Sequence, residues 1–285
     1  MGVGHVARRE AVALRRRKEV GTMRRVIPAL LAAGLVWACV SSPTGRSQLI
    51  LFPETEMAAM GVAAFDKLKG EIPTTTDAAK QRYVRCVADH VTRAVGSGGP
   101  ESWEVTVFQE DSANAFALPG GKIGVHTGLL EVARNQHQLA TVIGHEVAHV
   151  LARHSNERVS TAYATQTGLD LAGAIAGATS PASQQLMGLL GVGAQVGILL
   201  PFSRAQESEA DEMGLELMAR AGFDPRESIT LWQNMAEASQ GQEPPAFLST
   251  HPSHGQRITK LQGLLPQVLP LYEEARAKGL RPACS

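Results

Sequence analysis

The chain has 285 residues, 44% of them hydrophobic and 5% aromatic, and 27 Lys+Arg balance 27 Asp+Glu to a formal net charge of zero. So much apolar sequence without a charge excess excludes a disordered acidic or basic tail, offers no cationic surplus for nucleic-acid phosphates, and suffices for a full core. The 3 cysteines are too few for a disulfide scaffold or a cysteine-ligated zinc module.

The charge is unevenly placed. Residues 1–38 hold eight basic side chains (Arg8, Arg9, Arg15, Arg16, Arg17, Lys18, Arg24, Arg25) and two acidic ones (Glu10, Glu19), leaving 19 basic against 25 acidic from Cys39 onward, a net charge of −6. Arg24 and Arg25 precede a thirteen-residue apolar run, Val26 to Ala38, which Cys39 ends. As a helix such a run rises about 20 Å, short of a hydrocarbon core of roughly 30 Å, so residues 1–38 read as a signal peptide, with residues 1–22 a spurious extension before Met23. A cysteine directly after a small residue resembles a bacterial lipoprotein signal. It implies lipidation at Cys39, membrane attachment through that lipid, and a bacterial periplasmic location at the outer membrane; an uncleaved anchor with Cys39 as a bystander is the alternative. Residues 39–55 then form the lipidated tether and 56–285 the folded domain. Disulfides persist in an exporting compartment, so Cys86 and Cys284 are either bridged or two separate buried thiols, which spacing does not decide.

Along the domain, apolar spacing predicts helices over Met57–Lys69 and Thr76–Val95, the second ended by the Gly-Ser-Gly-Gly-Pro run at 96–100. Trp103–Phe108 alternates as a strand. Asn114–Leu118 and Lys122–His126 flank a Pro-Gly-Gly turn as two more strands, and Thr127 is placed to cap a helix from Gly128. One long helix is expected from Asn135 to about Ser160. The stretch Leu169–Leu200 has no Lys or Arg but is broken near Thr179-Ser180-Pro181, which favours two helices packed on the core or grazing a bilayer over a membrane span. Ser203 with Gln206 is a capping box for a helix over Arg204–Ala221; Asp224-Pro225 with Glu227, and Ser253 with Gln256, start two more. The sum is a helix-dominated α+β domain with a small sheet.

His145-Glu146-Val147-Ala148-His149 lies within the expected long helix. Positions i and i+4 stand above one another on a helix face, so both imidazoles reach one zinc ion, while Glu146, about 100° round, serves as general base. A catalytic zinc site takes a third protein ligand and keeps a fourth position for water. Glu207 is the candidate, with Asp211 on the same face four residues later to accept the free N–H of a ligand histidine. Glu209, about 200° round from Glu207, is expected to be solvated or ion-paired, and His154, five after His149, to face solvent. His126 and His254 are expected to be structural or at the surface, and His90 and His137 receive no role.

With these residues the chain resembles the zinc metallopeptidases that include the CAAX prenyl proteases, the heat-shock protease HtpX and the mitochondrial Oma-type peptidases, and within them the periplasmic lipoprotein branch of LoiP and BepA. The likeness spans about residues 55–265 and rests on Asn114 to Gly121, the His145 motif, Ser203 to Asp211, and His251-Pro252 with Arg257. It implies a zincin fold of the gluzincin type holding one Zn2+ per chain on His145, His149 and Glu207, with Asp211 beside the ligands and Arg257 supporting the site or the transition state. It further implies that His251 can approach the metal and inhibit, and that Asn114, Ala115, Phe116 and Ala117 form the edge on which a peptide lies. The implied function is a membrane-tethered endopeptidase acting on unfolded or misassembled envelope proteins, with outer-membrane assembly machinery as a partner. A chaperone-like assembly factor with a self-inhibited zinc site is the competing class.

Overall fold

A computed structural model of the chain describes residues 39–175, 201–238, 246–251 and 256–285. The expected signal peptide, the Ser253 cap, His254 and most of the Ala/Gly/Leu-rich stretch lie outside the described residues. No helix among the described residues is long and apolar enough to cross a membrane.

The domain is helix-dominated with small sheets, the expected α+β class. Helix α1 (Glu54–Glu71) is followed by α2 (Ala78–Arg93), whose first turn is capped by the Asp77 side chain and whose Val84, Val87, Ala88 and Val91 form the buried stripe that helical spacing predicts. Strands β3 (Glu104–Phe108), β4 (Ala115–Leu118) and β5 (Lys122–His126) make a three-stranded sheet in the order β3-β5-β4, with β3 parallel and β4 antiparallel to β5. β4 is therefore an edge strand. Asn114 O accepts from His126 N, while Ala117 N donates to a side chain outside the sheet. By antiparallel alternation, Ala115 and Ala117 thus direct their backbone groups away from β5. Thr127 does not cap the short helix α3 (Leu129–Val132); its hydroxyl donates to Glu110 O instead.

Helix α4 (Gln136–Leu151), capped by Asn135, is buried along most of its length and forms the centre of the core. It does not continue to Ser160. Ala152 and Arg153 interrupt it, Arg153 with φ +56°, and α5 (His154–Ile175) follows as a separate helix. Against α4 packs α6 (Arg204–Arg220), which starts with the full Ser203/Gln206 capping box. The two approach through glycines: a Cβ on Gly144 would stand 2.8 Å from Gly214 O, and one on Gly214 2.7 Å from His145 N. α7 (Glu227–Ala238), the short α8 (Ala246–Thr250) and α9 (Arg257–Ala277) complete this side. Cys86 and Cys284 form a disulfide, with Cα atoms 5.6 Å apart, that pins the C-terminal tail to α2.

Residues 39–49, expected as part of a polar tether, form a hairpin of β1 (Cys39–Ser41) and β2 (Ser47–Leu49) that turns through Gly45 at φ +89°. The following residues hold to α5, with Leu51 N donating to Ser160 Oγ and Asn156 Nδ2 donating to Phe52 O.

Candidate metal centre

His145 and His149 project from one face of α4 with ring centroids 4.6 Å apart, as the i, i+4 spacing requires. The glycine contact brings α6 so close that Glu207 reaches both: its Oε2 lies 3.6 Å from His145 Nε2 and its Oε1 3.4 Å from His149 Nε2. His251, directly after α8, completes the group, with Nδ1 2.9 Å from Glu207 Oε1. One ligand atom from each of the four residues falls within 4.8 Å of every other, and all four side chains are buried. Cys86, His90 and Cys284 form a second close group, but both cysteines are spent in the disulfide.

The donor set fits a zinc ion. His145 Nδ1 is 3.1 Å from Asp211 Oδ1 and His149 Nδ1 is 2.8 Å from His154 Nδ1, so each ring's second nitrogen is already partnered. The nitrogens that meet in the middle, His145 Nε2 and His149 Nε2 at 3.0 Å, then turn lone pairs toward one another when both rings are neutral, and His251 Nδ1 lies 3.2 Å from the first. A cation between them relieves that opposition, and two imidazoles with a carboxylate and a fourth position match zinc's tetrahedral preference.

Glu146 is buried beside this cluster. Ala117 N donates to its Oε2 at 3.1 Å, and its Oε1 makes no hydrogen bond although His251 Nε2 stands 3.2 Å away. Arg257 bridges the two carboxylates of α6, donating from Nη1 to Glu207 at 2.8 Å and from Nη2 to Asp211 at 2.5 Å, while its guanidinium stacks 3.7 Å over Trp232. The His251 ring lies between Phe247 and Phe202, at 4.3 and 4.8 Å between centroids. Asn114 has its side-chain Oδ1 buried without a hydrogen bond.

Electrostatics follow from burial and pairing. Burial opposes charge on His145, but the Glu207 carboxylate and the Asp211 hydrogen bond outweigh it and raise its pKa to about 9. Burial pushes His149 well below the usual imidazole value and raises Glu146. For Glu207 the cost of burial is overcome by the His145 charge and by the close approach of the three histidines, which hold its pKa far below the carboxylate range. Asp211 is lowered likewise: burial opposes its charge, and Arg257 overcomes that opposition.

The structure thus gathers His145, Glu146, His149, Glu207, Asp211, His251 and Arg257 at one place, with the β4 edge beside them. One expectation fails. His154 is fully buried instead of facing solvent, because the break at Arg153 turns it back toward His149. Glu209, expected to be solvated or ion-paired, is ion-paired, with Arg46 Nε 3.1 Å from its Oε2, and is buried under the hairpin with that oxygen 3.2 Å from His154 Nε2. Phe202, stacked on both His149 and His251, had no signal in the sequence.

Comparison with known proteins gives these residues a family context. The model for peptidase family M48 matches residues 78–265. The chain is 41% identical over 176 residues to the mitochondrial metalloendopeptidase OMA1 of Schizosaccharomyces pombe, covering 61% of this chain and 50% of the relative. It is 34% identical over 253 residues to the bovine (Bos taurus) mitochondrial metalloendopeptidase OMA1, covering 82% of this chain and 47% of the relative. It is 27% identical over 221 residues to the beta-barrel assembly-enhancing protease of Escherichia coli, covering 76% and 45%. The chain spans about half the length of the curated relatives it matches. These identities overturn the expected bacterial periplasmic, lipid-anchored, outer-membrane location, since the relatives of higher identity are mitochondrial and the assembly-enhancing protease is more distant. The physical reason is that an address resides in a cleavable leader, and a basic, acid-poor leader is shared by several targeting routes, whereas the matched residues belong to the folded domain.

Proposed function

We propose that this chain, which belongs to peptidase family M48, is a zinc-dependent endopeptidase that hydrolyses peptide bonds in unfolded or misassembled polypeptides and is held closed by His251. The observation that carries this is the convergence of His145, His149 and Glu207 on one buried point with the Glu146 carboxylate beside it. In this assignment the first three hold the metal, within a domain running from about residue 56 to 285. The chemistry such an ion supplies when bound is Lewis acidity toward a water molecule and a scissile carbonyl. Glu146, its pKa raised by burial, takes the proton from the attacking water and returns it to the leaving amine, so that water is divided between the two products. Asp211 keeps His145 in the tautomer that turns Nε2 inward, and Arg257 fixes Glu207 and Asp211 relative to each other.

The substrate lies along β4. An extended peptide pairs with outward backbone groups at Ala115 and Ala117, which gives main-chain recognition with little dependence on sequence. A cleft of about 520 Å³ at the Pro119 end of this edge is lined by Met57, Gly120, His149 and Arg153, and accommodates side chains of such a peptide.

A second class, an assembly factor that seldom cleaves, is favoured by a single observation: His251 stands against both Glu207 and Glu146. Two variants separate the classes. Glu146→Gln should retain zinc, measured by elemental analysis, and lose cleavage of an unfolded protein; undiminished cleavage would remove Glu146 from the mechanism. His251→Ala should cleave faster than the unaltered chain if the site belongs to a self-inhibited protease, and stay inactive if it belongs to an assembly factor.

A further inference from the structure

We propose that the N-terminal hairpin is part of the metal centre, acting through Glu209 and His154 as positioning residues for His149. This rests on His149 being a metal ligand. His149 Nδ1 meets His154 Nδ1 at 2.8 Å, and His154 Nε2 meets Glu209 Oε2 at 3.2 Å. Glu209 Oε1 accepts from the Thr44 hydroxyl at 2.8 Å and the Thr44 backbone N–H at 3.3 Å, and its Oε2 from Arg46 Nε at 3.1 Å. Arg46 in turn grips Glu157 with both terminal nitrogens, at 2.5 and 2.6 Å, and Gln206 of the α6 capping box donates to the same Glu157 at 2.8 Å. His154 and Glu209 are buried, at 0% and 4% exposure, so no solvent substitutes for a missing partner.

The direction of every hydrogen bond in this line is set at its outer end. A carboxylate can only accept, so His154 donates from Nε2 to Glu209 and leaves a lone pair on Nδ1. That lone pair accepts from His149 Nδ1–H, which leaves the lone pair of His149 on Nε2, the nitrogen facing the cluster. Asp211 does the same for His145 in one step. The two ligand histidines are thus held in the same tautomer by two carboxylates of α6, one adjacent and one through a second imidazole. The adjacent carboxylate is fixed by Arg257 and the remote one by Thr44 and Arg46 of the hairpin. Removing such outer partners of a metal ligand commonly costs 10–100-fold in metal affinity.

The test uses the full chain and zinc alone. Zinc affinity is measured by chelator competition, and the His149 tautomer in the metal-free protein by ring-nitrogen NMR. His154→Phe should weaken zinc binding by about 10–100-fold and shift the His149 ring away from a single Nδ1–H tautomer. His154→Gln, whose amide oxygen accepts from His149 and whose NH2 donates to Glu209, should restore most of both. The pair Thr44→Val with Arg46→Met should weaken zinc binding by several-fold to about 10-fold without touching any residue of the cluster. Zinc affinity and tautomer unchanged in His154→Phe and in the hairpin pair, with the unaltered chain binding zinc, would overturn the proposal and leave the metal assignment standing. Failure of the unaltered chain to bind zinc would instead overturn the metal assignment.

Discussion

Gly214→Ala tests whether the close contact between α4 and α6 sets the metal centre. The new methyl would stand 2.7 Å from His145 N and 2.9 Å from His145 Cα and Gly144 C, all of them backbone atoms that no rotamer change can move. Relaxing 2.7 Å to the 3.4 Å at which ordinary contact begins parts the helices by about 0.7 Å. Overpacking of this kind costs about 1–3 kcal/mol, offset by about 1 kcal/mol of helix propensity gained over glycine. The net loss is no more than about 2 kcal/mol, and at about 2–4 °C per kcal/mol the melting temperature should fall by less than about 8 °C. The site is far less tolerant, since metal–ligand distances are held to about 0.2 Å and a misplacement near 1 Å costs on the order of 100-fold in rate. Differential scanning calorimetry, zinc competition and cleavage of an unfolded protein together read the result: a modest stability loss beside a collapse of zinc affinity and kcat/KM. Gly263→Ala on α9 is the control, because a Cβ there meets nothing within 4 Å, and it should stabilise slightly and leave the site alone. Wild-type zinc affinity and rate in Gly214→Ala would refute the claim that the glycines set the reach of Glu207.

Two further outcomes follow from features away from that contact. Breaking the Cys86–Cys284 bridge, which spans a sequence separation of 198, should cost about 2–5 kcal/mol in urea unfolding of reduced against oxidised protein; equal midpoints would show that the tail is held by its other contacts. Replacing Arg257 by Lys keeps the charge but cannot bridge Glu207 and Asp211 with two nitrogens of a planar fork, so zinc affinity should fall by about 10-fold or more, and an unchanged affinity would reduce Arg257 to a source of charge.

The centre of the site was legible because its chemistry is local. His145, Glu146 and His149 lie within five residues on one helix, and Glu207 and Asp211 repeat the same i, i+4 spacing, so a helical wheel places them without any knowledge of the fold. The outer partners were not legible because they depend on a break that leaves no mark in sequence. Arg153 adopts φ +56° although no Gly or Asn announces a left-handed residue, and without that break His154 falls on the solvent side of a continuous helix. The ion pair of Glu209 was among the expected alternatives, but its burial and its partner were not legible: its face of α6 is covered by a hairpin 163–165 residues away in sequence, built from short polar strands with no hydrophobic alternation to signal them.

If, as proposed, a peptide lies along β4 and His251 closes the site, the two compete for the same atoms. Among the outward groups of the β4 edge, Ala113 O accepts from Phe247 N of α8 at 3.0 Å and Ala117 N donates to Glu146 at 3.1 Å. α8 is further held by Thr250 O, which accepts from Phe202 N at 3.0 Å, and by the stacking of His251 between Phe202 and Phe247. Two hydrogen bonds at about 1 kcal/mol net each and the Phe202–His251 ring contact at about 0.5–1.5 kcal/mol hold this cap with about 2.5–3.5 kcal/mol, before His251's contacts to Glu207 and Glu146 are counted. An uncapped site would then be populated at roughly one part in 10²–10³. A peptide strand that reaches from Ala113 to Ala117, about 13 Å along the edge, replaces the Phe247 and Glu146 hydrogen bonds with its own, so that much of the opening cost is exchanged and not added. A short peptide covers only part of that span, and a folded protein keeps most of its strands paired within itself. On that proposal, extended, unfolded chain is the form of polypeptide that both docks on β4 and frees Glu146 and the metal position from His251.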